Sequence, residues 1–321
     1  MIIQSNNPSQ AAPNPFKFTV FTATYNRAHT IDRVYKSLCS QTFGDFEWVI
    51  VDDGSSDGTP ELVADWLKSA PFRLRYFSQA NAGKHVAANR GVREAHGILF
   101  LNLDSDDSCV PTALERLWHH WDSIAPDERA SYSGVTALCQ DEEGHVIGDR
   151  FPADIVDASW LDVRFRNGVS GEKWGFQRTD VMRAHPFPEV AGMSYYPEDV
   201  IWDAIARRYK TRFVNEALRT YHTASSGLAR NVDPARHAAS SREGSLHNIN
   251  HNADYFRYAP KAFLKASANY SRFCFHSGMR LKQQADQIQH AGGRLLWLAG
   301  LPVGYAAYRR DRAKHAPPDA S

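Results

Sequence analysis

This sequence has few cysteines, almost no net charge and no long apolar run. The 321 residues include four cysteines that are far apart and form no C-x-x-C pair, which is typical of reduced thiols in a cytoplasmic protein. The formal net charge of +1 provides no overall field to attract nucleic acid, so no nucleic-acid partner is expected. The remaining composition, 43% apolar and 23% charged, is that of an ordinary globular chain with a sizeable core.

Neither end of the sequence has an apolar run long enough to cross a bilayer. Residues 1–15 are polar and lack the charged and apolar regions of a signal peptide, so they predict a flexible leader. The uncharged stretch 295–308 is roughly 14 residues, shorter than the ~20 that a spanning helix needs. Segment 294–312 contains Trp297, Tyr305 and three arginines. It fits either a helix on the inner face of a membrane or a helix that packs on protein or on a second copy.

Apolar, β-branched stretches alternate with helical patterns in the first third of the chain. The predicted strands are 16–26, 46–53, 73–79 and 98–104. This β-α-β alternation predicts a parallel sheet with helices on both faces. Because ligands of such sheets bind at the carboxyl ends of the strands, the polar residues that follow these strands are the candidate site.

The pattern is less regular in the remainder of the chain, and no internal repeat is visible. Residues 133–152 predict a hairpin, and residues 211–222 predict strand structure. Residues 223–253 are rich in Ala, Ser, Arg, His and Asn, and we expect a mobile or linking segment there. Residues 254–321 are mostly helical by their pattern.

The fourth predicted strand leads directly into the acidic cluster Asp104, Asp106 and Asp107. Carboxylates this close repel one another unless a cation, a donor array or water offsets their charge. Two carboxylates one residue apart can hold Mg²⁺ or Mn²⁺; alternatively, the cluster is a solvated turn that caps the helix after Pro111. A calcium loop is excluded because Cys109 occupies the position where that turn needs glycine.

Polar residues also follow the other predicted strands. Asp53, in Asp52-Asp53-Gly54, can accept a hydrogen bond from a nucleobase or can belong to a plain Asp-Gly turn. Lys84 and Arg90 can place cations beside a diphosphate, or they belong to a solvated helix start. The sequence has neither G-x-G-x-x-G nor a complete P-loop, so those modes of nucleotide binding are not predicted.

Together these segments resemble the family 2 glycosyltransferases of GT-A fold. The matching pieces are TVFTATYNR, SLCSQTFGDFEWVIVDDGSSDGT, NAGKHVAANRGVREAHGILFLNLDSDD and YYPEDVIWDAI, which occur in the family's order. The resemblance implies a Rossmann-like, mostly parallel α/β sheet. It also implies an inverting transferase that uses a nucleotide-diphosphate sugar, with a UDP-sugar favoured, and Mn²⁺ or Mg²⁺. The implied acceptor is a sugar or a lipid-linked sugar in surface polysaccharide or glycoconjugate synthesis.

The resemblance assigns roles to residues at the strand ends. Thr24, Tyr25 and Asp53 correspond to the nucleobase pocket of the family. Asp106 corresponds to the metal ligand, and Asp104 to a neighbour of the ribose or of a metal-bound water. Lys84 and Arg90 are then the fixed donors beside the leaving diphosphate.

The second half of the chain has its own implied roles. In the Glu198-Asp199 pair, the aspartate is the implied base for the acceptor hydroxyl, and Glu198 orients it or binds the acceptor. His222 is an implied contact of the metal or diphosphate, or else an ordinary polar histidine. Trp174 and Arg178 lie in the implied acceptor half, where Trp174 either stacks on a sugar or packs in the core.

The implied organisation is a GT-A catalytic domain with a helical extension. The expected ranges are a catalytic domain at 16–225, with a nucleotide-sugar half 16–110 and an acceptor half 111–225, then a linker and helical region at 226–321. That extension is expected to meet a membrane surface or to form a homo-oligomer.

Two other functions share this layout. A sugar-1-phosphate nucleotidyltransferase would need a Gly-rich loop after the first strand, where TATYNRAHT has no glycine. A non-catalytic carbohydrate- or nucleotide-binding protein of the same fold is disfavoured by the intact Asp104, Asp106 and Asp199.

Overall fold

The computed structural model describes most of the chain, and its contacts divide it into two units. The described residues are 2–4 (backbone only), 16–190, 193, 195–222, 234–235 and 237–314. The first unit comprises Met1–Ser194 and Ile201–Gly227, and the second comprises Tyr195–Val200 and Leu228–Ser321.

Four parallel strands form the centre of the first unit. They are β2 Phe18–Thr24, β3 Phe46–Asp52, β4 Arg73–Ser78 and β5 Leu99–Asn102, side by side in the order β4-β3-β2-β5. The crossovers between them contain helices α1 Asp32–Cys39, α2 Thr59–Ser69 and α3 Lys84–Glu94. The strands are buried along almost their whole length, as expected when helices cover both faces. The predicted α/β class is therefore confirmed.

Strands from later in the chain extend this sheet beyond β5. They are β6 Ser108–Cys109, β7 Tyr132–Gln140, β8 Ile155–Ala158, β9 Lys173–Arg178 and β10 Lys210–Thr220. β9 is antiparallel to both β5 and β7, β7 is parallel to β10, and β10 is antiparallel to β6 and β8. The β6–β10 pairing places Arg219 opposite Cys109, so the end of β10 lies beside the loop that carries the acidic cluster.

Helices on the sheet complete the core of the first unit. They include α4 Ala113–Asp122, α5 Thr179–Ala184 and, from Ile201 onward, α6 Asp199–Ala206, with a π-helical turn at Asp162–Arg166. The fully buried Trp48 donates its indole N–H to Thr22 Oγ1 at 3.0 Å. Tyr35 and Trp66 stack with ring centroids 4.5 Å apart. These aromatic contacts fix α1 and α2 on one side of the parallel strands.

Three expectations about local structure need correction. Residues 2–4 form strand β1 Ile2–Gln4, antiparallel to β4, whereas residue 1 and residues 5–15 of the expected leader lie outside the described chain. The expected hairpin is reduced to a single bridge between Gln140 and Val146. Both edges of β7 are already paired with β9 and β10, so a return strand has no edge to join.

The expected linking segment 223–253 is partly helical. Residues 223–233 lie outside the described chain, but α7 Ala238–His251 is a regular helix. Its Ile249 is fully buried in the core of the second unit. Packing of this kind can stabilise a helix whose composition is polar.

The second unit is a helical assembly. Besides α7 it contains α8 Pro260–His276, α9 Leu281–Asp286 and α10 Ala291–Lys314. Gln284 is at its centre, where its backbone carbonyl accepts from Tyr270 Oη at 2.8 Å and its Oε1 accepts from Trp297 Nε1 at 3.1 Å. The long predicted helical pattern of the last third of the chain is thus observed as a packed set of helices over the described residues.

Glycines allow α10 to approach α8 closely. A Cβ at Gly300 would lie 2.6 Å from the backbone nitrogen of Ala268, and one at Gly304 would lie 2.4 Å from the Ala268 carbonyl oxygen. Any larger residue at either position would therefore push the two helices apart. None of the helices in the described ranges combines the length and apolarity that a membrane crossing requires.

Candidate functional site

The carboxyl ends of three adjacent strands lie at one edge of the sheet. Thr24 pairs with Asp52 across β2 and β3, and Phe21 pairs with Asn102 across β2 and β5. The Leu103 N–H continues this register by donating to the Phe21 carbonyl at 2.8 Å. The polar segments after the three strands therefore start from neighbouring points on the same edge, as the sequence predicts for a ligand site.

Asp53 organises the loop that leads into α3. Its Oδ1 accepts from Gln79 Nε2 at 2.8 Å and from the Ala82 N–H at 3.0 Å, and its Oδ2 accepts from the Gly83 N–H at 2.7 Å. Gly83 has a φ of 102°, a conformation that strongly favours glycine. Asp53 is thus more than an Asp-Gly turn residue, and its two oxygens retain lone pairs that can accept from a base.

The loop after β2 is held rigidly beside the loop after β3. Asn26 has a φ of 54°, its N–H donates to Ser55 Oγ at 2.8 Å, and its Oδ1 accepts from the Ser56 N–H at 2.8 Å. Thr24 is buried just before this turn, whereas the Tyr25 ring is 50% exposed. At this edge of the sheet, the Tyr25 ring is therefore accessible to a ligand, whereas the Thr24 side chain is buried.

Asp107 is the buried member of the acidic cluster. Its Oδ2 accepts from Arg219 Nε at 2.7 Å and also from Arg219 Nη2, and its Oδ1 accepts from the His222 N–H at 3.2 Å. Burial raises the pKa of the Asp107 carboxyl to about 6, with the charge of Arg219 acting in the opposite direction. Asp107 therefore joins the cluster loop to the end of β10.

Asp104 lies between two cations. Its Oδ1 contacts Lys84 Nζ at 2.8 Å, and its Oδ2 accepts from Arg219 Nη2 at 3.2 Å. Burial favours the neutral acid, but the charges of Lys84 and Arg219 outweigh that effect and hold the pKa of the Asp104 carboxyl well below its usual range. The Asp104 carboxylate is therefore ionised and binds Lys84, the first residue of α3.

Asp106 differs from its two neighbours. Its backbone carbonyl accepts from Arg33 Nη1 at 3.1 Å, but its half-buried carboxylate has no hydrogen bond or ion pair with any residue of the described ranges. Carboxylate oxygens are the ligands that Mg²⁺ and Mn²⁺ prefer, and these ions commonly take one or two carboxylates plus substrate phosphates. The residues present therefore fit a divalent cation at Asp106.

His222 lies beside this cluster, with protein partners at both ring nitrogens. Nε2 is 2.9 Å from Ser108 Oγ, and Nδ1 is 2.8 Å from Glu142 Oε1. A metal bond to His222 would therefore have to replace one of these contacts. Within the described chain, the three metal-ligating side chains that converge within 4.8 Å are instead Asp141, Glu143 and His145, on an exposed loop.

Lys84 and Arg90 face different partners although both are on α3. Lys84 reaches Asp104, whereas Arg90 donates Nη1 to the Ser78 carbonyl at 2.9 Å and lies over the Phe77 ring at 5.2 Å. Arg90 therefore braces the end of β4, and Lys84 is the cation of this pair that contacts the acidic cluster.

The two predicted acceptor residues are not brought together. Trp174 is 4% exposed and donates Nε1 to the Asn102 carbonyl at 2.6 Å, which favours the core-packing alternative for its ring. Arg178 pairs in register with Leu99, at the opposite end of β5 from the acidic cluster. Its guanidinium forms two hydrogen bonds with Asp180, so its placement favours a structural role.

Glu198 and Asp199 lie at the amino end of α6, where Asp199 is the first helical residue. A carboxylate there is stabilised by the helix N-terminus. Both residues belong to the second unit, while α6 from Ile201 onward belongs to the first. Their catalytic roles stay predictions.

Arg219 is a site residue that the sequence analysis missed. The general signal was available, because three neighbouring carboxylates require offsetting charge. The sequence does not say which arginine supplies it, since residues 107 and 219 meet only through the β6–β10 pairing.

Replacing Arg219 by methionine should destabilise the fold by about 3–5 kcal/mol, because it leaves the 1%-exposed Asp107 without its cation. Urea unfolding measures this loss. The control is Arg116→Met, which breaks the more exposed Arg116–Glu216 pair and should cost about 1 kcal/mol or less. Equal losses in the two variants would contradict the assignment of Arg219.

Comparisons with known proteins show similarity to glycosyltransferases. Residues 19–127 match the family model described as Glycosyl transferase family 2. The uncharacterized glycosyltransferase YibD of Escherichia coli is 27% identical over 269 residues, or 79% of this chain and 72% of that protein. The GalNAc(5)-diNAcBac-PP-undecaprenol beta-1,3-glucosyltransferase of Campylobacter jejuni is 34% identical over 214 residues, or 64% of each. Two other relatives are covered over only 31% and 29% of their length.

A solved structure confirms the fold class. S. aureus TarS 1-349 in complex with UDP aligns with a TM-score of 0.59 over 95% of this chain and 94% of that one, at 17% identity. At that identity the likeness concerns the fold alone. Together with the family match, it confirms the resemblance inferred from the sequence motifs.

Proposed function

We propose that this chain, a glycosyltransferase of GT-A fold with a family 2 domain at residues 19–127, transfers a sugar from a nucleotide-diphosphate donor to a hydroxyl acceptor. The proposed transfer is a metal-dependent direct displacement that inverts the configuration of the anomeric carbon. The observation that carries this proposal is the strand edge itself. There Asp53 follows β3 and Asp104 and Asp106 follow β5, the two strands that flank β2. Among the described residues, the Asp106 carboxylate belongs to no internal ion pair.

The donor nucleotide would bind against Asp53 and Tyr25. Asp53 holds its loop through three donors and retains acceptor capacity for a base N–H, and the half-exposed Tyr25 ring offers a stacking face. A UDP-sugar is the favoured donor. This choice is supported by the TarS complex with UDP and by the carboxylate at position 53, which suits the N–H of uracil.

The diphosphate would lie between Asp106 and the start of α3. When bound at Asp106, Mn²⁺ or Mg²⁺ supplies Lewis-acid stabilisation of the leaving diphosphate. Lys84 contributes a second positive charge, because its partly exposed ammonium can turn from Asp104 to a phosphate oxygen. His222, two residues after β10, would adjust the position of this cluster through Ser108 and Asp107.

The acceptor hydroxyl would be deprotonated by Asp199. An alcohol is a weak nucleophile, so a carboxylate must take its proton as the bond to the anomeric carbon forms. Glu198 would orient Asp199 or bind the acceptor. A saccharide acceptor carried on a lipid is supported by the name of the Campylobacter relative. With such an acceptor, the proposed reaction would belong to surface polysaccharide or glycoconjugate synthesis.

A thermal-shift panel of nucleotide diphosphates and nucleotide sugars, with and without Mn²⁺, tests this proposal. We expect UDP with Mn²⁺ to raise the melting temperature. At a ligand concentration 100 times its Kd, the expected stabilisation is about 2.7 kcal/mol. Lys84→Met should weaken nucleotide affinity by about tenfold, whereas the control Lys36→Met, on the exposed face of α1, should not. The absence of a shift with every nucleotide would contradict the proposed donor class.

A further inference from the structure

Helix α10 has one buried face and one exposed face along its whole length. The buried face contains Gly293, Trp297, Gly300, Gly304 and Asp311, at the three- and four-residue spacing of a helix packed on one side. It contacts α8, and both Gly300 and Gly304 touch the α8 backbone. The remaining face is left to solvent by the helices of its own unit.

The exposed face of α10 is apolar in its first half. Leu295 is 69% exposed, Leu298 54%, Val303 63% and Tyr305 45%. Soluble surfaces carry single exposed apolar residues without consequence, but a contiguous row on one helix marks an interaction site. The exposed Pro302 adds to this row.

The same helix becomes strongly basic in its second half. Arg309, Arg310, Arg312 and Lys314 all lie on exposed positions. The acidic residue of α10, Asp311, is buried and paired with Arg272 Nε at 2.5 Å and with His276 Nε2 at 3.0 Å. The surface of this helix therefore displays positive charge without an exposed carboxylate.

The net positive charge of the chain is concentrated in its carboxyl-terminal region. Residues 260–314 contain ten lysines and arginines against two aspartates and no glutamate, whereas the whole chain has a net charge of +1. The near-zero total thus hides a basic carboxyl-terminal region and an acidic remainder. Such an asymmetry attracts an anionic surface.

We propose that α10 docks on an anionic phospholipid bilayer, with Leu295, Leu298 and Val303 entering the headgroup region and the arginines of residues 309–312 contacting lipid phosphates. The helix would lie in the plane of the interface, because no helix of the described ranges can span a membrane. In this arrangement, the basic residues and the apolar row both increase the affinity of the helix for the membrane. The inference rests on α10 and its charges, and it holds independently of the sugar that is transferred.

A second copy of the chain is the less favourable occupant of this face. A two-fold interface would bring the same residues together. Depending on helix direction, the basic ends would face each other or the apolar halves would contact arginines, with no exposed carboxylate on α10 to compensate. An anionic lipid surface neutralises these charges directly.

Vesicle co-sedimentation of the full chain tests this docking. We expect binding to vesicles of phosphatidylglycerol and phosphatidylcholine, little binding to pure phosphatidylcholine, and release at 0.5 M salt (a Debye length of about 4 Å). The triple variant Leu295→Ser, Leu298→Ser, Val303→Ser should lower the partition coefficient at least tenfold. Because these side chains are exposed, their replacement should leave the thermal unfolding of the protein unchanged.

Two further variants separate the sources of binding. Arg309→Gln with Arg310→Gln should remove most of the dependence on anionic lipid. The control Leu281→Ser replaces a leucine on α9 that is 48% exposed and should bind vesicles like the wild type. Equal binding of wild type and triple variant would overturn the proposal, as would a wild-type chain that ignores anionic vesicles. A dimer by light scattering that the triple variant dissociates, without vesicle binding, would assign this face to self-association.

Discussion

Replacing Asp106 by alanine is expected to lower the rate of sugar transfer by roughly 10²- to 10³-fold, the range observed when one stabiliser of developing charge is removed. The carboxylate of Asp106 has no partner among the residues that the structure describes, so its removal breaks no internal ion pair. The loss should therefore appear in metal-dependent activity and not in folding. Release of nucleotide diphosphate from the donor measures it directly.

The control for Asp106→Ala removes an exposed aspartate elsewhere in the first unit. Asp65→Ala, on the exposed face of α2, should retain wild-type activity and an unchanged melting temperature. Mn²⁺ binding in the presence of UDP, followed by the paramagnetic signal of free Mn²⁺, should weaken in Asp106→Ala and not in Asp65→Ala. Wild-type transfer by Asp106→Ala would remove the metal assignment, and so would unchanged Mn²⁺ binding.

Replacing Asp199 by asparagine is expected to lower kcat by roughly 10²- to 10⁴-fold, the usual contribution of a positioned general base. Asparagine keeps the size and the hydrogen-bonding capacity of a residue at the start of α6 but cannot take the proton of the acceptor hydroxyl. The Kd of the donor, measured by titration of UDP with Mn²⁺, should stay within about twofold of the wild type if the residue acts only in the chemical step.

Glu198→Gln is the matched control for Asp199→Asn. It removes the same charge one residue earlier, so an electrostatic effect on donor binding would appear in both variants. We expect a smaller loss of kcat in Glu198→Gln, accompanied by a higher KM for the acceptor. If Asp199→Asn loses donor binding, Asp199 is a donor ligand; if it transfers sugar normally, the base is another group.

Much of the first unit could be predicted from local sequence pattern. The four parallel strands were predicted because each is a short β-branched run that a helical pattern separates from the next, and short connections leave few ways to order them. The pairing of β7 with both β9 and β10 could not be predicted, because these contacts join segments far apart in sequence. The hairpin prediction failed for this reason, since both edges of β7 were already occupied.

In the second unit, composition was a poor guide to secondary structure. The composition of residues 223–253 predicted a linking segment, yet α7 is a helix whose Ile249 is buried. Its polar composition gives little helical periodicity, so the stabilisation comes from packing on its neighbours. The net charge of +1 was a similar limit, because a sum over the chain conceals the basic region at residues 260–314.

The sequence by itself determined the α/β class, the family resemblance and the position of three polar segments at one sheet edge, because these follow from local periodicity and from motifs in a fixed order. Only the tertiary structure decided what each carboxylate does. Asp107 is buried against Arg219, Asp104 is shared between Arg219 and Lys84, and Asp106 keeps its carboxylate outside these ion pairs. The physical reason is that the state of a carboxylate depends on burial and on neighbouring charges, and β10 brings its arginine to this loop from more than 100 residues away.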